Sequence, residues 1–565
     1  MSPRPDTDTE TGTGAASSVA RSTSMMSGLI LLSRATGFLR TWAMAFALGN
    51  TVLAASYSLA NNVPNMIYEL VAGGVLSTAF LPVYLSQKTS RSSEEANAYA
   101  SNLLSLVIVV LGAVSVLACI FAPQVIATQS LFSSSSAETV AGAVWLFRLF
   151  AFQMLFYGLS AVFGGLLNAS RAYFWPAISS VFMNLVIIVM FFGYPLVADY
   201  ASAAYDSAAY DLSGHASPLA LAWLGVGTTL AVAVMALVQV PALRKAGFHF
   251  RFGIRLADPA LRETMRLALP AIATTAINLV SLSVANSVAL HVADNGPASV
   301  AYAKMWYLFP YGVLGVALQT AMFTEMSESL ARGDRAAFKR EVTGGLEKTW
   351  LLIVPMAALV FVCATELIGL YAAGSFTSSD VAPIASLLRA WCVALPLYAG
   401  YMYLYRAFSS LRALHVVAWA NLALTVVQVA VYVLAAGVAG PLSSVGEGTG
   451  AGLVALAIGD GVFYLLMIVV LLAVLGRRVG SLGLAGVFGP ALRVTVASIA
   501  GGAVAALVEH AMAQFLDVTA IGGAFVSLVA TGIVGLAAIV LFCRIAGVRE
   551  VENAIRALAR KLRRR

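Results

Sequence analysis

Charged side chains interrupt stretches of this chain that are otherwise apolar, among them Arg34 and Arg40 in SRATGFLR, then Glu69, Arg148, Lys304, Glu366, Arg389 and Asp460. In hydrocarbon such a group costs several kcal/mol unless it faces water, a partner or a substrate. Positive charge dominates the first half. Guanidinium forks bind phosphate and pyrophosphate bidentately, so a hydrated cavity lined by arginines suits an anionic substrate of that kind. Arg34 and Arg40 are six residues apart, about 240° around an ideal helix, so sharing one cavity calls for a bend, for which Gly37 between them is suited. Glu69 can neutralise one arginine as a structural ion pair or take part in coupling. Glu366 is open to the same two roles, and Asp460, in AIGDG, can pair with a cation or hold a coupling ion. Arg148 and Arg389 stand near the ends of their apolar runs and read as helix anchors more than as ligands.

Other chemistries lack their residues. Cys119, Cys363, Cys392 and Cys543 are far apart and form no CxxC pair. His215, His249, His291, His415 and His510 are scattered, with no paired metal spacing. No GxxxxGK[ST] loop is present, so ATP is not expected to drive the protein. A membrane-bound glycosyltransferase or phosphatase needs paired carboxylates or a His/Arg constellation at a membrane face. The loop acids Asp206, Asp211 and Asp294 offer no such pattern. No metal, cofactor or nucleic-acid partner is expected, only a coupling ion or the membrane potential.

The elements that must position these charges are membrane helices. Of 565 residues, 60% are apolar and 11% charged, with mean hydropathy +0.87, whereas a soluble domain carries about 25% charged residues. Fourteen apolar runs follow a polar tail over 1–23 that is expected to be disordered: 24–48, 55–84, 97–122, 139–166, 174–198, 218–241, 267–293, 298–324, 349–372, 382–409, 413–437, 450–475, 489–512 and 519–543. Every second connection between them lacks Lys and Arg altogether, and the intervening ones hold all the loop cations. Because cytoplasmic loops retain cations, both termini are expected in the cytoplasm. Two further segments are expected on the membrane surface. One is the linker 242–266, where Phe248, Phe250, Phe252, Ile254 and Leu256 alternate with His249, Arg251 and Arg255 before an Asp258-Pro259 helix start. The other is the tail 544–565, with an apolar stripe among eight basic residues.

The chain also repeats itself. Arg148, Tyr157 and Arg171 recur as Arg389, Tyr398 and Arg412 at a constant offset of 241 residues, and Thr78-Ala79-Phe80 nearly so as Thr320-Ala321-Met322. Six runs separate the copies, which gives two parallel six-helix lobes, 24–241 and 267–476, with two helices over 477–543 appended. Parallel repeats with a site at their interface are one of the transporter plans. The Gly, Ala and Ser of the appended pair permit close helix packing or a shallow groove for an acyl chain.

SRATGFLR (33–40), NNVPNMIYELVAGGVLSTAFLPVY (61–84) and AYAKMWYLFPYGVLGVALQTAMF (301–323) resemble the signatures of the MurJ (MviN-type) lipid II flippases, a family of the multidrug/oligosaccharidyl-lipid/polysaccharide exporter superfamily. The resemblance extends over all fourteen runs. It implies a V-shaped, two-lobed all-α bundle that alternates between inward-open and outward-open states. The implied cargo is lipid II, the undecaprenyl-pyrophosphate-linked disaccharide-pentapeptide, moved from the inner to the outer leaflet, with its tail along the last two helices. Arg34 and Arg40 match the family's first-helix arginines, and Lys304 keeps a cation beside the position now held by Met305. Asn65 joins the candidates from the P-N motif. The family's other charged positions fall on Ala55, Tyr68 and Gly73, departures that leave room for a related lipid-linked glycan. The competing readings are a flippase for another lipid-linked oligosaccharide, a drug/cation antiporter, which would want an acidic cavity, and a scaffold for cell-wall synthesis proteins, which would tolerate loss of Arg34.

Overall fold

The computed structural model describes residues 10–69, 80–90, 92–132, 137–204, 217–437, 451–483 and 485–548, and among them no strand occurs. The α-helices are α1 (Glu10–Leu48), α2 (Val52–Glu69), α3 (Leu81–Ser90), α4 (Ser93–Ile120), α5 (Ala122–Ala127), α6 (Ala137–Phe150), α7 (Gln153–Ala169), α8 (Phe174–Ala204), α9 (Pro218–Leu237), α10 (Val240–Lys245), α11 (Pro259–Val292), α12 (Gly296–Pro310), α13 (Val316–Ala331), α14 (Arg335–Val362), α15 (Ala364–Gly369), α16 (Val381–Ser410), α17 (Leu414–Ala435), α18 (Ala451–Val479), α19 (Ala485–Phe515) and α20 (Ile521–Ile545). A π-helical turn, Tyr311–Gly315, joins α12 to α13.

Each expected apolar run falls on one or two helices, but among the described residues ten helices are long and apolar enough to cross a membrane, or eleven if α6 and α7, bent by 45°, form one span. Runs 24–48, 55–84 and 298–324 are not among these; residues 70–79 of the second lie outside the described residues, and the π-helical turn divides the third into helices of 15 and 16 residues. These are the runs that hold Arg34, Arg40, Glu69 and Lys304. A helix with one face on a polar cavity does not need the all-round apolar surface of a helix immersed in lipid.

Packing divides the helices into groups. In the first, α1 and α9 pack on α8, α2 on α6, and α4 on α7; in the second, α14 and α18 pack on α16, and α17 on both α11 and α18. The pair α19–α20 rests on α14 and α15, and α2 meets α12 between the groups. Small residues let α19 and α20 approach: a methyl on Gly501 would lie 2.5 Å from Ile539, and one on Gly535 2.8 Å from Ala505. At these glycines close packing, rather than a groove, uses the small side chains.

The repeat reappears in the backbone. Arg171 (φ 58) and Arg412 (φ 52) are the described non-glycine residues with positive φ. Each follows a helix closed by the same pair of bonds: Ala172 N to Leu167 O (2.8 Å) and Arg171 N to Asn168 O (3.0 Å), against Ala413 N to Phe408 O (2.9 Å) and Arg412 N to Ser409 O (3.0 Å). This is a Schellman-type end, in which glycine is the unstrained residue.

Other expectations meet the structure as follows. Helix α1 begins at Glu10, a difference from the disordered tail expected over 1–23; no Pro or Gly lies between Gly14 and Gly28, so a helix nucleated further on can propagate back. Asp258 caps α11, accepting from Ala260 N at 2.9 Å. Residues 549–565 of the basic tail, residues 205–216, Thr78-Ala79 and Gly73 lie outside the described residues.

A left-handed L-residue costs about 1–2 kcal/mol. Arg412→Gly is therefore expected to raise the melting temperature of the detergent-solubilised protein, and Arg412→Ala to leave it unchanged or lower it. Equal shifts in the two variants would show that the backbone there is unstrained.

Candidate functional site

Where α1 and α2 face α12, a cavity of about 300 Å³ opens, and its wall includes Arg34, Arg40, Asn65 and Lys304. Asn61, Asn62, Ser58 and Tyr57 of α2 add neutral polar groups, and Met305, Leu308 and Phe309 of α12 an apolar rim. At 1.5 Å per residue, Arg40 and Lys304 each lie about 12 Å from the helix ends nearest the cation-free connections, and Arg34 about 21 Å. Helix α1 runs unbroken through Gly37, so the reach of two long guanidinium side chains serves where a bend was expected. None of the three cations forms an ion pair with a carboxylate among the described residues.

Arg34 lies against the π-helical turn of the opposite group. A methyl on Gly312 would meet Arg34 Cζ at 3.3 Å and Nη1 at 3.4 Å. π-Bulges mark functional positions in helices, and here the absent side chain leaves room for the guanidinium.

Lys304 is held differently. Its Nζ stands 5.4 Å from the ring centroid of Trp391, a cation–π contact worth about 0.5–2 kcal/mol. The same indole donates through Nε1 to Asp460 Oδ2 at 2.9 Å. Asp460 also accepts from Gln428 Nε2 at 2.9 Å and from the Tyr432 hydroxyl, and Ser281 donates to Gln428 Oε1 at 2.7 Å. A cation–π contact and a buried hydrogen bond thus link the cavity lysine through Trp391 of α16 to Asp460 on α18, which Gln428 and Tyr432 of α17 also hold.

The remaining candidates lie elsewhere. Glu69 is exposed at the end of α2, off the cavity wall, and forms no ion pair among the described residues. Glu366 is fully buried and accepts from Ser527 of α20 at 2.8 Å, tying the appended pair to α15. Arg389 donates to Phe361 O at 3.3 Å and Thr365 Oγ1 at 2.7 Å, as an anchor across the α14–α15 junction would. Arg148 is exposed. Tyr68 packs against Tyr157 with the rings tilted by 35° and their centroids 4.7 Å apart, and Tyr157 donates to Asn65 at 2.8 Å.

Toward the cation-free connections the helix groups are stitched together. Ser375 donates through N to Phe46 O (2.9 Å) and through Oγ to Ala47 O (3.1 Å), and Trp42 Nε1 donates to Leu370 O (2.8 Å). Tyr302 donates to Gly49 O (2.6 Å), Ser299 to Asn50 Oδ1 (3.0 Å) and Asn295 to Asn50 O (3.0 Å). Two glycines with φ +63° make the approach possible: a Cβ on Gly49 would lie 2.3 Å from Ser375 O, and one on Gly374 2.3 Å from Phe46 O. These bonds join neutral groups, and Asn50 Nδ2 adds one to the Asp380 carboxylate (3.4 Å).

Sequence reasoning found Arg34, Arg40, Lys304 and Asn65 but not Trp391, Gly312 or the glycine pair. Gly312 stood in the quoted FPYGVLG block, and its mid-helix position was the available signal; for Trp391 there was none.

A family model described as lipid II flippase MurJ matches residues 44–534. That stretch begins after Arg34 and Arg40, so for these two the cavity geometry carries the case. Similar curated proteins include the "Lipid II flippase MurJ" of Burkholderia cenocepacia, 26% identical over 383 residues, 66% of this chain and 70% of that one. The "Probable lipid II flippase MurJ" of Rhizobium meliloti is 24% identical over 385 residues, 67% of this chain and 68% of that one. A solved structure described as "Lipid II flippase MurJ, inward closed conformation" shares the fold with a TM-score of 0.71 at 20% identity, covering 92% of this chain and 98% of that one. An inward-facing multidrug resistance MATE family transporter of the MOP superfamily reaches 0.62 at 16%, covering 80% and 95%.

A methyl at Gly312 should push the Arg34 guanidinium out of place without disturbing the buried helix contacts. Gly312→Ala is expected to weaken binding of a diphosphate probe about tenfold, the loss of one charge-assisted hydrogen bond, with the melting temperature unchanged. Unaltered affinity, measured by titration calorimetry on the solubilised protein, would contradict this placement of Arg34.

Proposed function

The chain belongs to the lipid II flippase MurJ family, and from that premise we propose that it carries lipid II across the membrane by alternating access, with Arg34, Arg40 and Lys304 holding the pyrophosphate. The observation that carries this reading is the gathering of three cations without carboxylate partners, two from α1 and one from α12, on one cavity between the helix groups. Each charge-assisted hydrogen bond to an ionised group contributes about 1.5–3 kcal/mol, and the two guanidinium forks suit a diphosphate better than ammonium groups would. A drug/cation exporter would need the opposite charge here.

The orientation follows from the cations. Connections without Lys or Arg face outward and the cation-bearing ones face the cytoplasm of a bacterial inner membrane, with both termini inside and fourteen helices crossing. The seal of Asn50, Ser299, Tyr302 and Ser375 then closes the outer side, and the cavity loads from the cytoplasm. At about 300 Å³, the low end for a drug-sized ligand, the cavity admits a diphosphate but not the disaccharide-pentapeptide with it. Loading therefore requires the lobes to part, and release requires the neutral bonds of the seal to break. The polyprenyl tail stays in lipid along α19 and α20.

An inside-negative potential drives negative charge outward by about 2.3 kcal/mol per charge per 100 mV, which favours export of an anionic head group without ATP. Where an ion gradient contributes, Asp460 and Glu366 are the buried carboxylates at hand, and only Asp460 is linked to the cavity, through Trp391.

The test is rescue of a bacterium depleted of its own lipid II flippase, scored by lipid II exposed on the outer leaflet. The unsubstituted chain is expected to restore exposure, and a well-expressed Arg34→Ala protein to reduce it at least tenfold. Exposure restored equally by both would remove Arg34 from the mechanism. Failure of both, despite correct insertion, would point to another lipid-linked glycan.

A further inference from the structure

The linker between α10 and α11 is neither helix nor strand, yet it is fixed. Residues 248–255 run extended along α4, and three of their backbone N–H groups are bound by α4 side chains: Arg251 N to Ser101 Oγ (3.4 Å), Gly253 N to Ser105 Oγ (3.1 Å) and Arg255 N to Asn102 Oδ1 (2.8 Å). Asn102 returns the contact, donating to Arg255 O at 3.0 Å and to Asp258 Oδ2 at 3.1 Å. Binding every second N–H pins the register, and in an extended chain that sends alternate side chains to opposite faces.

One face is Phe250, Phe252, Ile254 and Leu256, respectively 43%, 65%, 41% and 68% exposed. Four large apolar side chains left uncovered on a short strap mark an interaction surface. The alternate positions carry His249, Arg251 and Arg255, which line a cavity of about 480 Å³ against α4 together with Phe252, Asn97 and the acids Glu94 and Asp258. Across residues 244–266 the chain places Arg244, Lys245, Arg251, Arg255, Arg262 and Arg266 against Asp258 and Glu263, an excess of four positive charges out of the chain's net +8. Asp258 is engaged as the α11 cap.

We propose that this strap is a binding site for anionic phospholipid in the leaflet at the cation-bearing end: the apolar face enters the acyl boundary, and Arg251 and Arg255 hold the phosphate head group. Apolar insertion beside basic residues is the combination that binds an anionic bilayer surface, and it needs a partner that is apolar and anionic at once, which a phospholipid is. Because the strap joins the two helix groups, a bound lipid would clamp the connection about which they move.

The experiment uses the full-length protein in phosphatidylcholine bilayers with spin-labelled phosphatidylglycerol or phosphatidylcholine, reading the motionally restricted fraction by electron paramagnetic resonance. A preference for phosphatidylglycerol is expected. Arg251→Gln with Arg255→Gln should lower it roughly fivefold per arginine, and Phe252→Ser with Leu256→Ser should reduce the restricted fraction of both lipids. In the unsubstituted chain, salt near 1 M, where the Debye length is about 3 Å, should abolish the preference. Equal restriction of both lipids, or a preference that the arginine substitutions and salt leave untouched, would overturn the proposal. The readout involves no lipid II, so it stands or falls apart from the transport reading.

Discussion

Positive charge inside an apolar bundle is the constraint from which the rest of this molecule follows. Arg34, Arg40 and Lys304 form no ion pair with a carboxylate among the described residues, although Glu69 lies near enough to feel the charge of Lys304, and a charge left so in low dielectric is tolerated only beside water or a mobile anion. The cavity they line must therefore be wet or occupied. The helices that supply them, α1 and α12, are not among those that pass as simple membrane spans by length and hydropathy among the described residues.

The seal answers a second requirement. A carrier that must open on either side cannot lock one side with ion pairs, because breaking a buried pair costs several kcal/mol. Neutral hydrogen bonds contribute about 0.5–1.5 kcal/mol each, and the bonds between α1, α12 and the turn around Ser375 are of this kind. They draw their strength from number and fit. Gly49 and Gly374 interlock at distances that a methyl would forbid, and beneath them Phe38 packs edge-on against Trp306 with ring centroids 4.7 Å apart. Such a surface holds when closed and can be released in one step.

The architecture was legible because membrane physics writes it in the sequence directly. Apolar runs and the 241-residue offset each follow from local composition; the runs reappear as helices among the described residues, and the offset in the two left-handed arginines at the matching helix ends. Arg34 and Arg40 were legible because a guanidinium in an apolar run demands a reason. What remained hidden depends on contacts distant in sequence. Trp391 looks like any aromatic in a buried helix, and only the fold sets it between Lys304 and Asp460. Gly312 matters because Arg34, far earlier in the chain, comes to rest on it. Glu366 read equally as an ion-pair or coupling residue until Ser527 of α20 appeared beside it.

The central claim is that a pyrophosphate takes the place of the missing carboxylates. Its most direct test is the affinity of the solubilised, full-length protein for undecaprenyl pyrophosphate, compared with that of a folded triple variant carrying Arg34→Gln, Arg40→Gln and Lys304→Gln. Loss of three charge-assisted contacts predicts a fall of at least about a hundredfold, with the melting temperature maintained or raised because the uncompensated charges are gone. Equal affinity in the two proteins would contradict the account, since the pyrophosphate would then be held somewhere other than the cavity between the lobes.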